Sequence, residues 1–288
     1  MESIFEHAPA KINLTLQVVG RRDDGYHLLR SLVGFAGVGD LLYFSTAKEL
    51  SLKVTGPFAE ELKGQNFDDN LVLQAARKLM VTSGVQLGAE IHLIKNLPIA
   101  SGIGGGSADA AATLRGLIRL WELHDFSEER LGGLALELGA DVPVCLKSTC
   151  SWMEGIGERL EQGPELPNLH SVLLNPGVGV STPKIFQNLK GSYSSAKKKP
   201  VSFSSHEDVT EYLRLVGNDL EIPACRLEPV IVEALAELTA QKSCLLSAMS
   251  GSGATCFGLF ASAECAQKAA HDIKLKHSGW WLSSTAFY

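Results

Sequence analysis

Between a short alternating segment and an apolar helical run, the chain carries Pro98-Ile-Ala-Ser-Gly-Ile-Gly-Gly-Gly-Ser-Ala-Asp109. Gly102, Gly104, Gly105 and Gly106 allow positive φ and let the backbone approach an oxyanion that a Cβ would hold away. Ser107 adds a hydroxyl, and the helix that follows offers unpaired amides and the positive end of its dipole. The chemistry of such a loop is phosphate binding, which points to nucleotides. A Walker A loop needs a lysine after its glycines, and none follows here. A dinucleotide fingerprint can be laid over residues 102–107, but its last position is Ser and no first βαβ unit precedes it. The spacing alone also suits a plain turn joining a strand to a helix.

Such a loop works only if its neighbours hold it. Ile91 and Leu93 alternate with Glu90 and His92 as in a half-buried strand, whereas Ala110, Ala111, Leu114 and Leu117 recur at helical spacing. Near the start, Ile12, Leu14, Leu16 and Val18 point one way along a predicted strand and Lys11, Asn13, Thr15 and Gln17 the other, so Lys11 and Asn13 share a face. Strands are predicted over 28–35, 41–45, 50–54, 142–146 and 149–153, and helices over 70–80 and 127–138, the second stopped by Gly139. Pro164 and Pro167 mark a domain boundary. Beyond it, strands are predicted over 171–174, 245–249, 256–260 and 280–286, and helices over 209–215, 229–238 and 261–275. This succession is of the α+β class.

The glycine loop resembles the ATP loop of the GHMP kinases, P-x-x-x-G-L-G-[GS]-[GS]-S-[AS], with Ile103 in place of Leu, a volume-conserving exchange. Pro9-Ala-Lys-Ile-Asn-Leu14 before it and Ser250-Gly-Ser-Gly-Ala-Thr-Cys256 after it fall in the family's order. Further segments, Gly20-Arg-Arg-Asp-Asp-Gly-Tyr-His27, Gly139-Ala-Asp-Val-Pro143, Asn175-Pro-Gly177, Thr182-Pro-Lys-Ile-Phe186 and Asn218-Asp-Leu220, extend the likeness over nearly the whole chain. They resemble the branch that phosphorylates the 2-hydroxyl of a diphosphocytidyl methylerythritol in the non-mevalonate isoprenoid pathway.

The resemblance implies a two-domain fold, with a ribosomal-protein-S5-like ATP-binding domain over 1–165 and a ferredoxin-like domain over 166–288. It implies ATP and Mg²⁺ as cofactors. The ATP site would comprise Pro98, Ile99, Ala100, Ser101, Gly102, Ile103, Gly104, Gly105, Gly106, Ser107 and Ala108, with Asn70 and Lys95 near the adenine or ribose. Asp141 would accept the proton of the substrate hydroxyl, and Lys11 beside it would stabilise negative charge on the reacting oxygens. Asn13 would bond the polyol, Tyr26, His27 and Phe186 would receive the cytosine, and Thr182 would lie on a substrate loop. No metal ligand is assigned; Asp109 is the nearest acidic candidate. Taken singly, these residues have plainer readings: Asp141 as a turn cap, Lys11 as a solvated edge-strand lysine, Tyr26 and Phe186 as core aromatics, His27 as a turn histidine and Asp109 as a complement to the helix dipole.

Composition narrows the class without naming it. A chain of 288 residues, 45% hydrophobic, supplies real cores, and a formal charge of −6 offers no general basic surface for nucleic acid. Lys197-Lys-Lys199 is the one basic run, and its Ser-rich surroundings read as a solvated loop. The six cysteines lack zinc-ligand spacing and read as buried, reduced thiols. The first residues carry neither a basic flank nor an apolar core, and no apolar run approaches membrane-spanning length, so a cytoplasmic enzyme of a small-molecule substrate is expected.

Overall fold

The computed structural model describes residues 3–63, 69–189 and 191–288. In chain order the elements are β1 (Ile4–Asn13), β2 (Gln17–Arg21), β3 (His27–Ala47), β4 (Ser51–Thr55), α1 (Leu71–Ser83), β5 (Gly88–Ile94), α2 (Gly105–Leu120), α3 (Glu128–Leu138) and α4 (Val142–Lys147). They continue with β6 (Ser151–Gly155), β7 (Arg159–Gln162), β8 (Leu169–Asn175), α5 (Thr182–Gln187), α6 (His206–Val216), α7 (Glu221–Leu227), α8 (Val230–Thr239), β9 (Cys244–Met249), β10 (Cys256–Phe260), α9 (Ala263–Lys276) and β11 (Trp281–Phe287). The chain forms two compact units that interleave in sequence. The first contains residues 1–10, 39–99 and 104–148, the second residues 11–38, 100–103 and 149–288.

In the first unit β5 pairs with the C-terminal half of β3 antiparallel, Leu42 opposite Leu93 and Phe44 opposite Ile91, and with β4 in parallel. These four side chains are buried, and helices α1, α2 and α4 pack together beside the strands. The strands predicted over 28–35 and 41–45 are one strand, β3, running through Gly37 and Gly39. Gly39 is required where β1 crosses, because a Cβ there would lie 2.3 Å from the Ala8 carbonyl oxygen.

The second unit is built on an antiparallel array in the order β11-β8-β10-β9, with Leu174 opposite both Leu282 and Cys256. Its core gathers Leu16, Val18, Leu174, Ile231, Leu238, Phe260 and Ile273, with α8 and α9 supplying the last layer. In this unit β2 and β6 both pair antiparallel with the first half of β3. The fold is the mixed α+β arrangement expected.

Two local expectations need correction. The strand predicted over 11–18 is interrupted: β1 ends at Asn13, and the Leu14 and Thr15 amides both turn to the Leu32 carbonyl before β2 begins. Residues 142–146 form α4, not a strand. A short, uniformly apolar run does not distinguish the two by periodicity, and Pro143 suits a first helical turn, where no amide is needed.

Candidate active site

The glycine loop is anchored at both ends. In the first unit, Asp40 Oδ1 accepts the amides of Asn96 at 2.5 Å and Leu97 at 2.9 Å, fixing the chain as it leaves β5. After the loop, Gly104 takes φ +64° and opens α2, whose first-turn amides have no intrahelical partner. In the second unit, residues 100–103 lie along the turn at 250–253. The Thr255 amide donates to the Ser101 carbonyl at 3.1 Å, Ser250 Oγ to the Gly102 carbonyl at 3.2 Å, and the Lys11 amide to the Ile103 carbonyl at 2.9 Å.

Beneath the start of α2 lies a buried ion cluster. Lys95 Nζ donates to Asp40 and, at 2.7 Å, to Asp109 Oδ2, and all three side chains are buried. Asp109 Oδ1 has no hydrogen-bond partner among the described residues. Burial, opposed by Lys95 and reinforced by Asp40, pushes the Asp109 carboxyl up to about 7. The side chain faces a lysine, as a structural ion pair does. Asn70 accepts the Val72 amide at 2.9 Å as the cap of α1.

The titration has a sign. Between the unfolded value of 3.8 and the folded value of about 7, the folded chain holds more proton on Asp109 than the unfolded chain. Its contribution to stability is therefore full below the unfolded value and falls as pH rises through that window. Urea denaturation of wild type between pH 5 and 8 should show this slope, and Asp109→Asn should flatten it; equal slopes in the two proteins would refute the assignment.

In the second unit Lys11 is 4% exposed, which removes the solvated edge-strand reading. Its Nζ donates to Asn13 Oδ1 at 3.0 Å, Asn13 Nδ2 to Ser31 Oγ at 2.8 Å, and Ser31 Oγ to the Thr15 carbonyl at 2.5 Å. The Asn13 amide donates to Ser250 Oγ at 3.0 Å, so the loop-bracing serine also braces this network. A buried ammonium is tolerable only with such partners.

Asp141 stands just before α4 in the first unit. Its side chain makes no capping bond; its carbonyl accepts the Cys145 amide at 3.1 Å. The carboxylate is therefore not the N-cap of α4.

A cavity of about 1330 Å³ opens in the second unit, with Tyr26, His27, Thr182 and Phe186 in its wall. The His27 ring stacks on Phe186 with centroids 4.7 Å apart and planes at 18°. Burial, then the neighbouring Arg21, lowers the His27 pKa, so the imidazole is neutral at pH 7, with one donor and one acceptor nitrogen. Tyr26 is 62% exposed at the rim, which removes its reading as a core aromatic. Thr182 Oγ1 lies 2.8 Å from Ser252 Oγ. Asn13 is not in this wall; it belongs to the Lys11 network.

Sequence reasoning missed several residues of these sites. Asp40 gave no signal, because its partners at 95–97 and 109 are distant in sequence. Asn218 and Asp219 stood in a matched motif without a role. Tyr193 lay in the Ser-rich stretch read as solvated, yet it lines the cavity.

Among the described residues no helix is long and apolar enough to cross a membrane, and no cluster of three His, Cys, Asp or Glu side chains is placed to hold a metal.

Comparison with known proteins identifies the family. Residues 70–149 match the GHMP kinases N terminal domain and residues 203–277 the GHMP kinases C terminal domain. The 4-diphosphocytidyl-2-C-methyl-D-erythritol kinase of Paramagnetospirillum magneticum is 50% identical over 283 residues, covering 98% of each chain. The enzyme of that name from Rhodospirillum rubrum is 48% identical, covering 98% of this chain and 92% of its own. A crystal structure of 4-(cytidine 5'-diphospho)-2C-methyl-D-erythritol kinase superimposes with a TM-score of 0.80 at 31% identity, covering 98% of each chain. With both family domains matched and such relatives aligned almost end to end, the chain belongs to the GHMP kinase family.

Proposed function

We propose that this kinase transfers the γ-phosphoryl group of ATP to the 2-hydroxyl of 4-diphosphocytidyl-2-C-methyl-D-erythritol, a step of isoprenoid precursor synthesis by the non-mevalonate route. The observation that carries the reading is the cavity whose wall sets a neutral imidazole and aromatic faces side by side, a surface suited to a nucleobase. The names of the relatives support the same substrate.

In this reading ATP lies along residues 98–108, its phosphates facing the first-turn amides of α2, with Asn70 toward the adenosine; Lys95, expected near the adenine or ribose, is instead buried between Asp40 and Asp109 beneath the helix start. Magnesium would neutralise charge on the ATP phosphates, and no residue of the chain is assigned to hold it. The substrate oxygen attacks the γ-phosphorus, its proton passes to Asp141, and the bond from phosphorus to the β–γ bridging oxygen breaks, releasing ADP. Lys11 stabilises charge on the reacting oxygens, and Asn13 orients the polyol. Tyr26, His27, Phe186 and Thr182 hold the cytidine end. Residues 1–165 then serve ATP and residues 166–288 complete the enzyme, a functional division distinct from the interleaved packing units. Its setting is the cytoplasm and its partner a small molecule.

The test is to incubate the protein with MgATP and the diphosphocytidyl alcohol and identify the product by phosphorus NMR. Methylerythritol and its monophosphate should react very poorly, because a site built to pair a base leaves its groups unpaired without one. If the base-free alcohols react equally well, the kinase stands and the cytidine specificity falls.

A further inference from the structure

The serine-rich stretch after α5 is tied down along its length. The Ser194 amide donates to the Val18 carbonyl at 2.9 Å, and Ser194 Oγ donates to Asp219 Oδ1 at 2.9 Å. Asp219 Oδ2 accepts the Val18 amide at 2.6 Å, so one carboxylate holds β2 with one oxygen and the stretch with the other. Gln17, 3% exposed, exchanges two bonds with the same stretch: Nε2 to the Ser195 carbonyl at 3.0 Å and Oε1 from the Lys197 amide at 3.1 Å. Arg30 donates to the Lys197 carbonyl at 3.0 Å, and Lys199 pairs with Glu154 at 3.2 Å and Glu161 at 2.8 Å. Side chains of β2, β3, β6 and β7 and the segment before α7 thus hold a polar surface segment.

What the segment delivers is Tyr193. The ring lines the large cavity and meets His27 edge-on, centroids 6.4 Å apart and planes at 71°, while His27 stacks on Phe186. It is 48% exposed, so it contributes little to a core. Asn218, next to the clasping aspartate, donates to the Met249 and Gly251 carbonyls at 2.8 and 2.9 Å, which ties the clasp to the turn bracing the glycine loop.

We propose that Tyr193 is a nucleobase-contacting specificity residue, and that Asp219 and Ser194 are positioning residues that hold its segment against β2. The inference rests on the cytidine reading of the cavity. The ring supplies a further aromatic wall beside His27 and Phe186, at little entropic cost because its backbone is already pinned.

Calorimetric titration with CDP tests this. Wild type should bind CDP; Tyr193→Ala should weaken it about tenfold, the scale of one lost stacking face, and Tyr193→Phe should keep it. With the diphosphocytidyl substrate, Ser194→Ala and Asp219→Asn should raise KM several-fold with kcat and the KM for ATP unchanged, and Ser194→Thr, which keeps the hydroxyl, should restore KM. Tyr193→Leu, which keeps apolar bulk without a π face, serves if the alanine variant does not fold, and should weaken CDP similarly. CDP affinity equal to wild type in folded Tyr193→Ala or Tyr193→Leu overturns the inference alone. No CDP binding by wild type overturns it together with the cytidine reading.

Discussion

Replacing Asp141 by Asn should lower kcat by a factor of about 100 or more while ATP affinity stays near wild type. The exchange is nearly isosteric and removes the group proposed to accept the proton. The helix-starting bond to Cys145 comes from the residue 141 carbonyl, which the exchange leaves in place. That separates this result from the outcome of deleting a capping aspartate, which costs about 1 kcal/mol and leaves chemistry intact. Single-turnover measurements with saturating MgATP decide it. A variant that turns over normally would remove Asp141 from the base role, and one that loses stability in proportion to activity would return it to a structural one.

The second large effect is expected at Gly102. Its φ is +77°, and a Cβ there would lie 2.5 Å from the Gly253 carbonyl oxygen and 2.9 Å from both the Gly253 amide nitrogen and the Ser250 carbonyl oxygen. All three are backbone atoms and cannot rotate aside. Gly102→Ala should therefore cost about 3 kcal/mol, combining left-handed strain with forced separation of the loop from the turn at 250–253. ATP binding should fall with it. Gly105 provides the contrast: it lacks positive φ, and the nearest atom to a new Cβ is the Lys95 ammonium at 3.2 Å. Gly105→Val should stay folded and lose ATP affinity, because the branched side chain crowds the amides proposed to face the phosphates. Urea denaturation and calorimetric titration of both variants give four numbers. Equal stability of Gly102→Ala and wild type would mean that the loop does not depend on this contact.

Much of the arrangement was legible from local pattern. The β10 strand and the Ser127-capped α3 follow from spacing and caps that act within one or two turns of chain. The glycine loop was legible because Gly102 and Gly104 take positive φ and Gly102 meets backbone too closely for a Cβ, and such demands show in residue type. Lys11 and Asn13 were correctly placed on one face, and their bond follows from that alternation.

Other features depend on partners remote in the chain. The Lys11 network closes through Ser250, 237 residues from Asn13, and the clasp on β2 through Asp219, 201 residues from Val18. No window of sequence contains both members of such a pair, so a lysine destined for burial reads like one on an edge, and a pinned serine-rich segment reads like a solvated loop. The apolar run at 142–146 shows the same limit at short range: its composition suits a buried strand or a buried helix, and packing beside α2 selected the helix. Local periodicity set most element types, and glycine content marked the loop proposed to bind phosphate. Tertiary packing decided which polar groups are buried, because burial of a charge or an amide is settled by whether distant donors and acceptors converge on it.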